Sequence, residues 1–208
     1  MAPPPFIIHG LGRSRTAWLS TFLTYGPWTC YHETGLAMRT MDDFKAFFKL
    51  PHVGTAETGA VLAWPLIRHV RPDIRTVVIR RDVDEAIDAM AETYRRAGLP
   101  FDVSKLKSVF TRSDKALEKI SGFPDTITLD YDELTTEEGC KRIFEFCLQQ
   151  EFDRKHWLAL RDRHIEADLR AVVSYYWANR DGVEKFKRIC KTELIHLVRS
   201  GALNHAIH

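Results

Sequence analysis

The chain has 208 residues, 45% hydrophobic and 28% charged, with a formal net charge of +2. That length suits one globular domain with a full core, and so small a charge gives no reason to expect a nucleic-acid partner. No apolar run approaches the roughly 20 residues of a membrane span.

The start, Met1-Ala2-Pro3-Pro4-Pro5, has neither the basic nor the apolar segment of a secretory signal, so a cytoplasmic protein is expected. Phe6 to His9 reads as a buried strand. Gly10-Leu11-Gly12-Arg13-Ser14-Arg15-Thr16-Ala17-Trp18 follows: a glycine-flanked turn with two arginines and two hydroxyls that opens a helix over Thr16 to Tyr25, stopped at Gly26-Pro27. A strand, loop and helix start of this kind cradles an anion, because backbone N–H groups and the positive helix end face the guest. Arg13 and Arg15 add fixed charge, and Ser14 and Thr16 add donors. The expected guest is a phosphate or sulfate group; the plainer alternative is a turn with solvated arginines. The loop lacks the Gly-Lys-Ser/Thr triplet of a Walker sequence, and Arg15 stands where G-x-G-x-x-G needs its third glycine.

His32 and Glu33 come next, as proton handlers or as surface and cap residues. Asp42 is expected to cap a helix over Asp43 to Leu50. His52 to Thr55 is a weak strand. Glu57 and Thr58 follow it at the same sheet edge as the loop, with Thr58 alternatively a helix cap. Gly59 to Val70 predicts a helix kinked at Pro65. Thr76 to Ile79 is a strand that puts Arg80 and Arg81 at its carboxyl end, where α/β ligands bind; both could instead pair with Asp82, Asp84 or Glu85. Helices are expected over Asp82 to Arg96 and from a Ser104 cap to Ile120. Thr126 to Leu129 is the fourth strand. Thr135 with Glu138 suggests a capping box for a helix through Cys147. From Lys155 the chain reads as helical, with a break near Asn179 to Gly182. Tyr175-Tyr176-Trp177 suggests core or interface. Cys30, Cys140, Cys147 and Cys190 form no C-x-x-C pair, which predicts free thiols and no metal site.

Strands alternating with helices predict an α/β fold with a small, mostly parallel sheet flanked by helices and a helical C-terminal region. One domain over 1–208 is expected, with about 151–208 a helical extension of it. Val183 to Ser200 would pack on the core or on a second copy in a homodimer.

The loop Gly12-Arg13-Ser14-Arg15-Thr16-Ala17-Trp18 resembles the 5′-phosphosulfate loop of sulfotransferases, P-K-S-G-T-T-W or P-R-S-[GR]-T. The shorter bacterial and phage-type members, with R-S-R-T, resemble it more than the animal cytosolic ones do. The resemblance implies a P-loop-type three-layer fold and 3′-phosphoadenosine 5′-phosphosulfate (PAPS) as co-substrate, with the bisphosphate PAP as product. It implies that Gly12 to Trp18 hold the 5′ end, that Arg13 stabilises the leaving phosphosulfate, and that no metal is needed. Some bacterial members carry a catalytic Glu after the loop helix, which makes Glu33 the expected base and His32 the second choice. Glu57 and Thr58 would line the acceptor pocket or hold Arg13 or Arg15. Val77 to Ala89 is similar to the family's 3′-phosphate motif, strand-R-[ND]-P-x-D-x-x-x-S. Arg80 then matches the Arg and Asp84 the Asp, while Asp88 stands where the family has Ser, and an ionised carboxylate repels phosphate. Asp130-Tyr131-Asp132-Glu133-Leu134 resembles the structural Y-E-D-L segment. The late loop R-K-G-x-x-G-x-W is absent.

The function implied is sulfuryl transfer from PAPS to a hydroxyl or amine of a small-molecule, carbohydrate or peptide acceptor. Two alternatives stay open. One is a kinase-like phosphotransferase, which the missing triplet opposes. The other is a catalytically inactive nucleotide-binding relic, with which Asp88 and the absent late loop agree.

Overall fold

Five strands pair in the order β2-β3-β1-β4-β5, every pairing parallel: β1 (Phe6–Gly10), β2 (Thr29–His32), β3 (Val53–Glu57), β4 (Arg75–Arg80) and β5 (Thr126–Asp130). The computed structural model describes residues 3–202; residues 1–2 and 203–208, the ends of the domain expected over 1–208, lie outside the described residues. The helices are α1 (Thr16–Phe22), α2 (Met41–Phe47), α3 (Trp64–Val70), α4 (Val83–Ala97), α5 (Val103–Ile120), α6 (Glu137–Leu148), α7 (Arg154–Leu160), α8 (Leu169–Ala178) and α9 (Arg180–Arg199).

The sheet is apolar on both faces because helices cover both. Along β1, Phe6 and Ile8 face one side with Val77 and Ile79 of β4, and pack on Trp18 and Phe22 of α1, Phe144 of α6 and Trp157 of α7. Ile7 faces the other side, with Phe44 of α2, Ile67 of α3, and Phe186 and Leu197 of α9. Val78 faces that side too, against Ile87 of α4 and Leu117 of α5. The three-layer arrangement, a parallel sheet with helices on both faces, is therefore present, and the C-terminal helix is part of its core. A Cβ at Gly54 would lie 2.1 Å from the ring of Phe6, its partner in register, so β3 can cross the aromatic ring only as glycine.

Several boundaries differ from the sequence reading, each for a local reason. β2 was not expected, because only Cys30 of its residues is buried and an edge strand lacks an apolar run. β3 runs on to Glu57 because Ala56 and Glu57 pair with Ile8 and His9 of β1; a buried acid such as Glu57 looks unlike a strand residue. α1 ends at Phe22 rather than Tyr25. Pro65 sits in the first turn of α3, where its missing N–H costs nothing, so it starts a helix and kinks none. The caps are Thr40, Asp102 and Thr136 rather than Asp42, Ser104 and Thr135, and Asp43 completes the capping box with Thr40. The chain leaves the helix at 161–168, and Asn179 alone separates α8 from α9. Trp177 is 60% exposed, so the Tyr175-Tyr176-Trp177 run is not core. Among the described residues no helix is long and apolar enough to cross a membrane.

Candidate active site

β1 lies between β3 and β4, at the point where the connections of an open α/β sheet diverge and a crevice forms at the carboxyl ends of its strands. The loop from Leu11 to Arg15 fills that edge. Arg13 (φ 69°) and Arg15 (φ 58°) are both left-handed, a conformation costing on the order of 1 kcal/mol per non-glycine residue. Neighbours impose it. Arg81 donates from Nη1 to the Arg13 carbonyl, and its guanidinium lies 4.1 Å over the Tyr131 ring. Arg15 donates to the Leu134 carbonyl at 3.1 Å and the Arg161 carbonyl at 3.4 Å, with its guanidinium 4.7 Å over Trp18. Trp18 in turn donates from Nε1 to the Leu160 carbonyl at 2.9 Å. Arg15 stands where the resembling loop often has glycine, and its positive φ is the physical reason for that preference.

A cavity of about 490 Å³ opens above this loop. Gly12, Arg13, Arg15, Thr16, Ala17 and Trp18 form its floor. No side chain caps α1, so an anion could take that role. His32, Glu33 and Thr58 form a second wall. Tyr131, Met90 and Thr93 of α4, Leu169 and Val172 of α8 and residues 163–167 of the strap 161–168 line the rest, Arg163, His164 and Glu166 among them.

The structure thus brings together the loop, His32, Glu33 and Thr58. Three expected nucleotide-site residues do not line this cavity. Ser14 is fully buried under the loop, its Oγ has no partner, and it is absent from the cavity wall. Arg80 is paired with Asp114 of α5 at 2.9 Å and donates to its carbonyl at 3.2 Å. Asp88 is exposed on α4, and neither it nor Arg80 lines the cavity. The alternative pairing of Arg80 and Arg81 with nearby acids is not adopted either. Asp82 caps α4 through the Glu85 N–H, and Asp84 pairs with Lys107.

Glu33 follows β2 and is held by three donors. Its Oε1 accepts from the Thr58 N–H at 2.8 Å and from the Thr58 hydroxyl, and its Oε2 accepts from the Gly59 N–H at 3.3 Å. Thr58 is therefore a clamp on Glu33, and the nearest helical turn is capped at Ala60. His32 Nε2 lies 3.1 Å from Thr16 Oγ1; burial lowers its pKa, against the opposing charge of Glu33. Glu57, at the end of β3, is 3% exposed. Burial and then the charge of Glu33 push its carboxyl up to about 8, so it is protonated at neutral pH. The Thr55 hydroxyl at 2.6 Å and the Gly35 N–H at 3.4 Å hold it. Glu57 touches neither Arg13 nor Arg15; it lines a second cavity of about 580 Å³, which shares Glu33 and Leu36 with the first.

Glu166 is the residue that sequence reasoning missed. Its carboxylate pairs with Arg13, with His164 at 3.1 Å and with Arg96 at 3.6 Å. Burial alone would raise its pKa, but the hydrogen bond and charge of Arg13, aided by His164 and Arg96, hold it below the usual carboxylate value. The signal was present in Arg161-Asp162-Arg163-His164-Ile165-Glu166, a run with no apolar period. No group of His, Cys, Asp and Glu among the described residues could hold a metal ion.

No family profile matches the chain, and no curated protein matches it. Solved structures do. A sulfotransferase from Alicyclobacillus acidocaldarius superposes with a TM-score of 0.56 at 13% identity, covering 92% of this chain and 97% of that one. The sulfotransferase domain from the curacin biosynthetic pathway gives 0.54 at 10% identity, covering 82% of each chain. The chain has the fold of these sulfotransferases. A gluconokinase from Sinorhizobium meliloti 1021, at 12% identity over 71% of this chain and 90% of that one, reaches a TM-score of 0.46, too loose a likeness to weigh.

Proposed function

We propose that this chain is a PAPS-dependent sulfotransferase acting on a hydroxyl acceptor. One observation carries the reading: Arg13, the fixed cation of the loop, and Glu33, the candidate base, line one cavity at the carboxyl edge of the sheet. The donor set fits a phosphosulfate. Arg13 already binds an oxyanion, the carboxylate of Glu166, and guanidinium is suited to bidentate contact with such groups. The Thr16 hydroxyl and the uncapped start of α1 add donors beside it.

PAPS supplies an activated sulfuryl group. Glu33, oriented by Thr58 and Gly59, takes the proton of the acceptor hydroxyl. The acceptor oxygen bonds to sulfur, the sulfur–oxygen bond to the 5′-phosphate breaks, and the electron pair stays on that phosphate beside Arg13. His32 is held on Thr16 and orients that hydroxyl. Arg80 and Asp88 do not line the cavity, so we assign the second phosphate of the nucleotide to Arg163, with the His164 ring beside it as a further hydrogen-bonding group.

Calorimetry with PAP and with ATP–Mg²⁺ tests the reading. PAP is expected to bind with a defined stoichiometry and ATP–Mg²⁺ not to bind; the reverse pattern overturns it in favour of a kinase-like phosphotransferase.

A further inference from the structure

The second cavity is chemically unlike the first. Its walls are apolar: Met38 and Phe44 on one side, Leu62 and Leu66 on another, and Phe186 and Leu194 of α9 on a third. Its volume of about 580 Å³ lies in the range of small-molecule sites. Its lining carries both signs of charge. Glu33 follows β2 and buried Glu57 ends β3, where the strands stop. Lys187, Lys191 and Arg112, all exposed, line it from the outer surfaces of α9 and α5. Lys187 is paired with Glu184 of its own helix at 2.8 Å, while Lys191 and Arg112 have no ion-pair partner among the described residues.

From this geometry we infer that the second cavity is the acceptor site, and that the acceptor is an apolar alcohol that also carries an anionic group. Charge sets the orientation. The Glu33 carboxyl accepts a hydroxyl hydrogen bond, whereas Lys191 and Arg112 attract an anion. The apolar wall takes the chain between them. Because Glu33 lines both cavities, a hydroxyl bound beside it meets the base and the sulfuryl donor together. The transfer is the one described above, with the proton passing to Glu33 and the sulfur–oxygen electron pair remaining on the 5′-phosphate. The inference deepens the PAPS reading and rests on it for the chemistry, but not for the binding.

Calorimetry with 10-hydroxydecanoate and 1-decanol, on the full chain and on the K191E/R112E double variant, tests it. Both residues are exposed, so the variant folds as the wild type does. Wild type is expected to bind both probes, with the affinity for 10-hydroxydecanoate falling as salt rises. K191E/R112E is expected to bind 10-hydroxydecanoate about tenfold more weakly, to bind 1-decanol within twofold of wild type, and to keep its PAP affinity. With PAPS present, wild type is expected to sulfate the hydroxyl of 10-hydroxydecanoate. Failure of wild type to bind 10-hydroxydecanoate while it binds PAP overturns the acceptor assignment and leaves the PAPS reading standing. Binding of 10-hydroxydecanoate without binding of PAP overturns the PAPS reading and leaves the cavity assignment standing. Equal losses for the acid and the alcohol in the variant contradict the role given to the cations.

Discussion

The Glu166 carboxylate sits on the guanidinium of Arg13, 153 residues away in sequence. An internal anion thus occupies the cation assigned to the sulfuryl donor in the proposed function. A ligand must displace it, so the apparent affinity is lowered by the stability of the closed pair. Both side chains are about a quarter exposed, which keeps that stability near 1 kcal/mol. Glu166→Gln is expected to bind PAP roughly fivefold to tenfold more tightly by calorimetry, with little change in melting temperature. Weaker PAP binding in this variant would show that Glu166 contacts the ligand directly.

Arg13→Ala removes the cation itself. Charge-assisted hydrogen bonds contribute about 1.5–3 kcal/mol, so PAP affinity should fall between tenfold and a hundredfold. The loop should survive, because Arg81 holds it through the Arg13 carbonyl, which the variant keeps. A large drop in the urea midpoint with unchanged PAP affinity would make Arg13 a structural residue.

Arg15 separates backbone from side chain. Arg15→Ala and Arg15→Gly both lose the hydrogen bonds to Leu134 and Arg161, but only glycine takes φ 58° without strain. Arg15→Gly should therefore be more stable than Arg15→Ala by about 1 kcal/mol in urea unfolding. Equal stabilities would mean that the loop relaxes once the side chain is gone.

Glu57 makes stability depend on pH. Its folded pKa, about 8, lies above the ordinary 4.5, so the folded state binds the extra proton. The contribution is complete below about 4.5 and is lost as pH rises through 8. Buried His9 acts in the opposite sense. Burial lowers its pKa from 6.5 to about 3, so its contribution is present above 6.5 and is lost as pH falls toward 3. Between 6.5 and 8 Glu57 acts without His9. Across that window wild type should lose stability and Glu57→Gln should not. Parallel slopes in urea titrations would contradict the buried, protonated carboxyl.

Much of this architecture can be read from residues alone where local rules decide it. The apolar runs around Ile7 and Val78 mark central strands, and the glycines and hydroxyls between Gly10 and Trp18 mark the turn that lines the first cavity before any fold is known. Legibility ends where a contact spans the chain. Arg80 is matched by motif to a phosphate, yet its partner is Asp114, on a helix packed beside α4; spacing does not reveal that packing. Glu33 is legible as a polar residue after α1, but its clamp by Thr58 depends on β2 pairing with β3, and β2 has no apolar run to betray it. The strap with Glu166 carries neither glycine nor proline to mark its departure from helix, and only the packing of α7 on α1 returns it to the loop.

The most direct test follows labelled sulfate from PAPS into a panel of hydroxyl acceptors, with wild type and Glu33→Gln side by side and PAP affinity measured on both. Wild type should form a sulfated product. Glu33→Gln should be slower by about a hundredfold or more, as loss of a general base requires, with PAP affinity within twofold of wild type. Wild-type turnover in Glu33→Gln, or a wild-type protein that binds PAP and sulfates no acceptor, would contradict the account.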